Sequence, residues 1–167
     1  EGSWWLCHSK CRPSRNKVHE VVMHWTPPPP GWATFNVAGV VKEDEAECSG
    51  VLRDEEGVAH SLFFGPIIAG ESEIVEVWAI KTALEIYIGL GWHVKTPLVI
   101  EFSSSVVLEW LLNGKAKLWS LRNLLIGNDR YINQLVSVKF ALVYMQGNGM
   151  ATALAIAGVR RPTIFKA

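Results

Sequence analysis

The stretch from Ser72 to Trp110 constrains the fold more than any other part of the chain. Its first half carries apolar residues at the helical spacing i, i+3, i+4 and i+7, namely Ile80, Ala83, Leu84 and Tyr87. Glu76 lies one turn before Ile80 on the same stripe, so a helix here directs a carboxylate towards the core. Because a buried carboxylate must be paired, capped or bound to a metal, we expect Glu76 to have a specific partner.

A buried strand with a polar end follows this helix. Leu98 to Ile100 form an apolar run, and Glu101 and the serines at 103–105 follow it. In open α/β sheets, sites form just beyond the carboxyl ends of such strands. We therefore expect Glu76 and this strand end to converge. A structural interpretation is also open, in which Glu76 occupies the first turn of a helix that Ser72 caps.

The chain of 167 residues is predicted to form one α/β domain. Strands at 33–41, 47–53 and 58–64 are separated by short turns and predict an antiparallel meander. The strand at 98–102 must join it in parallel through a right-handed crossover, and a fifth strand is expected at 136–145. This gives a five-stranded mixed sheet in the order 3-2-1-4-5, numbered along the chain, with helices on both faces.

The segments that flank this domain are basic. Residues 1–24 are predicted to be an irregular arm, in which Trp4 and Trp5 are candidate interaction residues because aromatic side chains are enriched at interfaces. Residues 25–158 form the domain, and residues 159–167 form a basic tail that we expect to be frayed.

The arm also contains cysteines and histidines, namely Cys7, His8, Cys11, His19 and His24. They resemble a zinc site, but the gap from Cys11 to His19 is short against the usual spacing of about twelve residues. We regard zinc binding as the minor interpretation and expect the arm to dock on its own domain or on a partner.

Charge and hydropathy exclude some classes of function. The chain has 16 basic and 16 acidic residues, so its overall charge does not demand a nucleic-acid partner. It contains no run of about 18 apolar residues that would predict a membrane span. We expect an intracellular protein. Because the chain begins at Glu1, the N-terminus is expected to be trimmed or processed, which leaves the compartment open between the nucleus and an organelle.

Five short motifs resemble, in order and spacing, the ribonuclease H domain that accompanies the non-LTR reverse transcriptases of plant retroelements. They are W-T-P-P-P-P-G-W-A-T-F-N-V-A-G at 25–39, G-V-L-R-D-x-x-G at 50–57, S-x-x-x-E-x-W-A-I at 72–80, I-E-F-S-S at 100–104 and Q-G-N-x-x-A-T-x-L-A at 146–155. Each motif is weak alone, but together they are specific. The resemblance covers residues 25–158 and implies a ribonuclease H-like fold.

The resemblance also implies where the family holds its metal ions. Such enzymes use four carboxylates to hold two divalent ions about 4 Å apart. The matching positions here are Ala38, Glu76, Ser103 and Thr152, and only Glu76 is an acid. Hydroxyl groups are poor ligands for Mg²⁺ compared with carboxylates. The resemblance thus implies a degenerate site without a metal cofactor, with Glu76 and Glu101 as the residual metal candidates.

Three functions remain compatible with these observations. We favour a catalytically inactive structural or protein-interaction subunit that was domesticated from a retroelement. We expect it to bind a protein partner or to be part of a multi-subunit complex. The alternative is binding of an RNA–DNA hybrid or RNA without cleavage. The candidate contacts for that alternative are Asn36, Ser104, Lys115, Lys117, Arg122 and Asn148. An active hybrid ribonuclease is the least favoured, because the two-metal mechanism needs ligands that are missing here.

Overall fold

The computed structural model describes residues 4–7, 27–68, 71–113, 130–143, 151, 153 and 164–167. Within these residues, the strands are β1 Trp4–Cys7, β2 Ala33–Lys42, β3 Glu45–Arg53, β4 Ala59–Ile67, β5 Leu98–Phe102, β6 Val138–Leu142 and β7 Phe165–Lys166. The helices are α1 Ser72–Gly89 and α2 Ser105–Asn113, with a 3₁₀ turn at Trp92–Val94. In this described part of the chain, no helix is both long and apolar enough to cross a membrane.

The strands form one mixed sheet in the order β1-β6-β5-β2-β3-β4-β7. β2, β3 and β4 make the antiparallel meander, and β5 runs parallel to both β2 and β6. The five central strands therefore confirm the predicted order. Helical residues cover both faces. α1 packs on β2 and β3 from one side, and on the other side the carbonyl of helical Ala151 accepts a hydrogen bond from the Ser49 hydroxyl.

The two outermost strands correct the expected conformation of the flanking segments. β1 lies in the arm that was predicted to be irregular, and it pairs antiparallel with β6. β7 lies in the tail that was predicted to be frayed, and it pairs with β4, where the Phe165 ring packs 5.3 Å from that of Phe64. Strands at the edge of a sheet offer unpaired backbone groups, so even short segments can add to them. The predicted domain boundaries stay a prediction.

A close contact between β2 and α1 fixes the position of Glu76. Side chains alternate along β2, so Phe35 and Val37 face α1 while Asn36 and Ala38 face the opposite side. Gly39 faces α1 as well, and a Cβ atom there would lie only 2.7 Å from the backbone nitrogen of Glu76. The backbone of β2 at Gly39 therefore packs directly against the backbone of α1 at Glu76.

The start of α1 corrects the expectation for its cap. Ser72 is the first helical residue, and Glu71 is the N-cap without a side-chain hydrogen bond. Glu73 is the acid in the first turn, and Glu76 lies beyond it. The first-turn interpretation of Glu76 is therefore wrong. Since only 5% of Glu76 is exposed, its carboxylate needs a partner elsewhere in the fold.

Candidate functional site

The middle of β2 and the carboxyl end of β5 bring three of the four predicted metal-ligand positions together. The parallel pairing of these strands reaches Asn36 and Glu101. Continued by two residues, the same register places Ala38 opposite Ser103. Glu76 reaches this point from α1, with its Oε1 atom 2.6 Å from the Ser103 backbone nitrogen. The predicted convergence of Glu76 with the end of this strand is confirmed.

The fourth position, Thr152, lies outside the described residues. Its neighbour Ala151 is described and is buried. The Ser49 hydroxyl donates a hydrogen bond to the Ala151 carbonyl, and Ser49 is the strand partner of Ala38. Ala151 therefore lies beside the same end of the sheet as Ala38.

Glu76 accepts hydrogen bonds from the junction between β5 and α2. Its Oε1 atom accepts from the Ser103 backbone N–H at 2.6 Å, the Ser104 N–H at 3.3 Å and the Ser103 hydroxyl at 3.4 Å. N–H groups at the start of a helix lack intrahelical partners and carry partial positive charge. Burial raises the pKa of Glu76, and the hydrogen bonds from Ser103 and Ser104 oppose that rise. The arrangement stabilises the entry into α2.

Ser104 completes this junction. Its hydroxyl oxygen accepts a hydrogen bond from the Val107 N–H at 3.2 Å, and its carbonyl accepts one from Leu108 at 3.2 Å. Ser104 is therefore the N-cap of α2, a position where serine is strongly preferred. Its predicted contact with nucleic acid stays a prediction, and the cap gives an independent structural reason for a serine here.

A buried polar network occupies the sheet face opposite α1. Arg53 Nη1 donates a hydrogen bond to Asn36 Oδ1 at 3.0 Å, and Asn36 Nδ2 donates to Glu101 Oε2 at 2.5 Å. Arg53 is the most exposed of the three residues, at 8%. Burial raises the pKa of Glu101 to about 7, although the Asn36 hydrogen bond and the Arg53 charge oppose this. Burial also lowers the pKa of Arg53.

This network bears on two of the predictions. Both polar groups of the Asn36 side chain are engaged inside the protein, so its burial counts against the predicted contact with nucleic acid. Arg53 was missed as a partner of Glu101. The available signal was strand alternation, which places Arg53 on the same face of β3 as Ser49.

Residues 35–158 match the family model described as "Reverse transcriptase-like". The chain belongs to this family. No curated protein matches the chain.

Several solved structures are similar to this chain in fold. RNase H1 from Halobacterium salinarum is 18% identical, with a TM-score of 0.68 over 75% of this chain and 96% of its own. The N-terminal RNase H domain of a Mycobacterium tuberculosis protein is 17% identical, with a TM-score of 0.69 over 76% of this chain and 92% of its own. Prototype foamy virus protease-reverse transcriptase is 14% identical, with a TM-score of 0.63 over 78% of this chain and 21% of its own. The ribonuclease H-like fold is thereby confirmed.

The described residues do not fit the two magnesium ions that this fold family implies. Mg²⁺ is held mainly by carboxylates and water. Here Ala38 offers a methyl group, the Ser103 hydroxyl donates to Glu76, and Asn36 engages Glu101. Within the described ranges, no group of three or more His, Cys, Asp or Glu side chains could hold a metal. The two residual metal candidates, Glu76 and Glu101, instead belong to separate hydrogen-bond networks.

The remaining predicted residues are only partly described. Trp4 and Trp5 lie in β1, opposite Leu142 and Ala141. Cys7 ends the same strand. Several other candidates lie outside the described residues, namely His8, Cys11, Lys115, Lys117, Arg122 and Asn148.

Proposed function

We propose that this chain is a catalytically inactive ribonuclease H-like domain that serves as a structural or protein-interaction subunit. The observation that carries the proposal is the hydrogen bonding of Glu76. Its Oε1 atom accepts three hydrogen bonds from Ser103 and Ser104, which is a use of the carboxylate that competes with metal coordination. One carboxylate also cannot neutralise two divalent ions, and Ala38, Ser103 and Thr152 supply no further charge.

The origin of the domain belongs to the same proposal. The family match and the similarity to a viral reverse transcriptase support descent from a retroelement. The W-T-P-P-P-P-G-W segment before β2 supports the plant type of that ancestor. Replacement of the acids by Ala, Ser and Thr, rather than by one residue type, suits gradual loss after the domain took on another role.

The alternative is binding of an RNA–DNA hybrid or RNA without cleavage. In its favour, LC11-RNase H1, whose structure was solved in complex with an RNA/DNA hybrid, shares this fold with a TM-score of 0.69 at 17% identity. Against it stand the balanced charge of the chain and the burial of Asn36. We therefore rank a protein partner first.

The first experiment tests whether the protein cleaves an RNA–DNA hybrid. A labelled RNA–DNA hybrid is incubated with this protein and Mg²⁺ or Mn²⁺, beside Halobacterium salinarum RNase H1 as the active control. We expect the RNA to stay intact, because the two-metal mechanism lacks its ligands. Cleavage that disappears in Glu76→Gln would overturn the proposal.

Two further measurements separate the candidate functions. Fluorescence anisotropy of the uncut hybrid is recorded at 50 and 200 mM salt, since binding through phosphate contacts weakens steeply with salt. Partners of the tagged chain are then identified before and after nuclease treatment. Partners that persist after treatment favour the protein-interaction subunit. Salt-sensitive hybrid binding, with partners lost on treatment, favours the alternative.

A further inference from the structure

Four consecutive prolines, at positions 27–30, lead into β2. Each proline ring fixes its own φ at about −65°, and the residue before a proline is restricted to extended backbone. Residues 27–29 each precede a proline, so each obeys both restrictions and takes the polyproline II conformation. No peptide bond among the described residues is cis, and this conformation requires trans bonds.

The turn after this run places the last proline in the same conformation. The Trp32 N–H donates to the Pro29 carbonyl at 3.0 Å, which closes a turn over residues 29–32. Gly31, at the third position of this turn, has a φ of 80°. Proline at the second position and a positive φ at the third define a type II turn, whose second residue has φ and ψ of about −60° and +120°. Pro30 therefore continues the extended conformation, and the four prolines form one rigid segment.

The fold holds this proline segment at two points. Pro28 is buried, whereas the other three prolines are exposed. Just after Pro30, the exposed Glu55 carboxylate accepts the Gly31 N–H at 2.5 Å. The segment is thus fixed to the protein while most of its rings remain in solvent.

The exposed rings follow the repeat of a polyproline II helix. This helix has three residues per turn and rises about 3.1 Å per residue, so Pro27 and Pro30 lie on one edge about 9 Å apart. Within the described residues, the carbonyls of Pro27 and Pro30 accept no backbone hydrogen bond, whereas that of Pro29 does. Because proline has no N–H, this edge offers apolar rings and carbonyl acceptors only.

The entry into β2 does not by itself account for this edge. The packing of Pro28 and the turn at Pro30 and Gly31 are sufficient to direct the chain into the strand. The ring of Pro27 is exposed and contributes to neither of them. An exposed and rigid proline pair at positions i and i+3 is the spacing that proline-recognition domains bind.

We infer that the segment Pro27 to Pro30 docks into the aromatic-lined groove of a partner's proline-recognition domain. Aromatic rings provide flat apolar slots for the prolines, and Trp and Tyr also provide N–H and O–H donors for the carbonyls. A segment that is already rigid loses little conformational entropy on binding. The inference rests on the proposed function, since it names the kind of partner that a protein-interaction subunit would bind.

The test uses ¹⁵N-labelled SH3, WW and EVH1 domains, which bind proline-rich segments in aromatic grooves. Each domain is titrated with the unlabelled full chain up to about 1 mM, so that complexes weaker than micromolar are detected. We expect the groove signals of at least one domain to shift. If no groove signal shifts in any of the three domains, the inference is overturned.

Three proline-to-alanine variants locate the contact. Pro27→Ala and Pro30→Ala each remove one ring from the shared edge and should weaken binding about tenfold. Pro97→Ala makes the same chemical change in the connection between α1 and β5, and it should bind like the unmodified chain. Circular dichroism checks that each variant is folded. Unchanged binding by Pro27→Ala, which removes no buried ring, would contradict the inference.

The free peptide Ac-Thr-Pro-Pro-Pro-Pro-Gly-NH₂ tests whether the fold presents the segment. We expect the chain to bind more tightly than the peptide, because the fold already holds the bound conformation. Binding of the peptide without binding of the chain would overturn the inference, since the packing of Pro28 would then hide the segment.

Failure of this inference can be told apart from failure of the proposed function. The hybrid-cleavage assay does not involve the proline segment. If the protein leaves the hybrid intact and keeps its partners after nuclease treatment, but no groove signal shifts, only the docking inference is overturned. If the protein cleaves the hybrid, the proposed function fails whatever the three domains do.

Discussion

Two groups of acidic side chains on the sheet are used in opposite ways. At the end of Ala38 and Ser103, the acids Glu76 and Glu101 are at most 5% exposed and are bonded inside the protein. Where β2 and β5 begin, the exposed Glu55 and the half-buried Asp54 line an open cleft with Trp32 and Trp92. An unpaired charged carboxylate is costly when it is buried, whereas an exposed one is solvated by water. Glu55 therefore stays open to solvent, as do Glu43, Asp44 and Glu45 after the end of β2.

On the proposed function, this fold has outlasted the chemistry of its site. Glu76 still reaches the end of β5, where the resemblance places a metal ligand. The Ser103 and Ser104 N–H groups donate to its Oε1 atom, and Ser104 is the N-cap of α2, where backbone N–H groups carry partial positive charge.

Replacement of Gly39 by alanine should have the largest effect. The added Cβ would lie 2.7 Å from the Glu76 nitrogen and 3.0 Å from the Val75 carbonyl carbon, both backbone atoms that cannot rotate away. We expect Gly39→Ala to lower the free energy of unfolding by about 2–3 kcal/mol, as overpacked cores do. Urea denaturation followed by circular dichroism measures the loss.

Gly89, at the carboxyl end of α1, provides the matched control. It ends α1, and an added Cβ would meet nothing within 4 Å. Gly89→Ala should leave the free energy of unfolding unchanged or raise it by up to about 1 kcal/mol, because alanine favours the helix. Equal losses in the two variants would contradict the contact between β2 and α1.

Substitutions of Glu76 should have an intermediate effect. Glu76→Ala removes the acceptor of the Ser103 and Ser104 N–H groups and should cost about 1–2 kcal/mol. Glu76→Gln keeps an acceptor oxygen and should cost less than about 1 kcal/mol. Thermal melts give the comparison, with Glu56→Ala in the β3–β4 turn as the exposed control.

The same melts test metal binding at Glu76. We expect millimolar Mg²⁺ to leave the melting temperature unchanged, because a site too weak to fill adds no stability. A rise in melting temperature with Mg²⁺ that disappears in Glu76→Gln would show that a metal site persists. In that case Glu76 would not be committed to Ser103 and Ser104 alone.

Replacement of Glu101 should have the smallest effect, and it should depend on pH. Its pKa is raised from 4.5 to about 7, so the fold favours the neutral acid. The associated stability is present below the unfolded-state pKa and is lost as the pH rises through about 7. Glu101→Gln should reduce this loss and raise the free energy of unfolding at pH 8 by up to about 1 kcal/mol. The increase is limited because Arg53 loses its counter-charge.

Urea denaturation at pH 5 and pH 8 measures this pH dependence. Burial also raises the pKa of Glu47 to about 7. Glu47 titrates in both the unmodified protein and Glu101→Gln. The informative quantity is therefore the difference between the two proteins in the slope of the free energy of unfolding against pH. Glu109→Gln on the exposed face of α2 is the control and should not change the slope. A slope for Glu101→Gln equal to that of the unmodified protein would mean that Glu101 is not buried as described.

Local patterns predicted much of the fold. β5 begins and ends where its apolar run predicts, and the stripe from Ile80 to Tyr87 lies in the core. These features depend on periodicity within a few neighbouring residues, which the sequence displays directly. β1 and β7 escaped prediction because a strand of two to four residues has too little periodicity, and both depend on partners far away in the chain.

The residues at positions 38, 76, 103 and 152 are known before any folding is considered, because side-chain identity does not depend on the fold. The sequence also determined that Glu76 would face the core, through helical spacing. What Glu76 and Glu101 do depends on the folded arrangement, since Glu76 meets Ser103 and Glu101 meets Asn36 across different elements. The partner of a buried charge depends on which strands and helices become neighbours, and that is fixed by long-range packing.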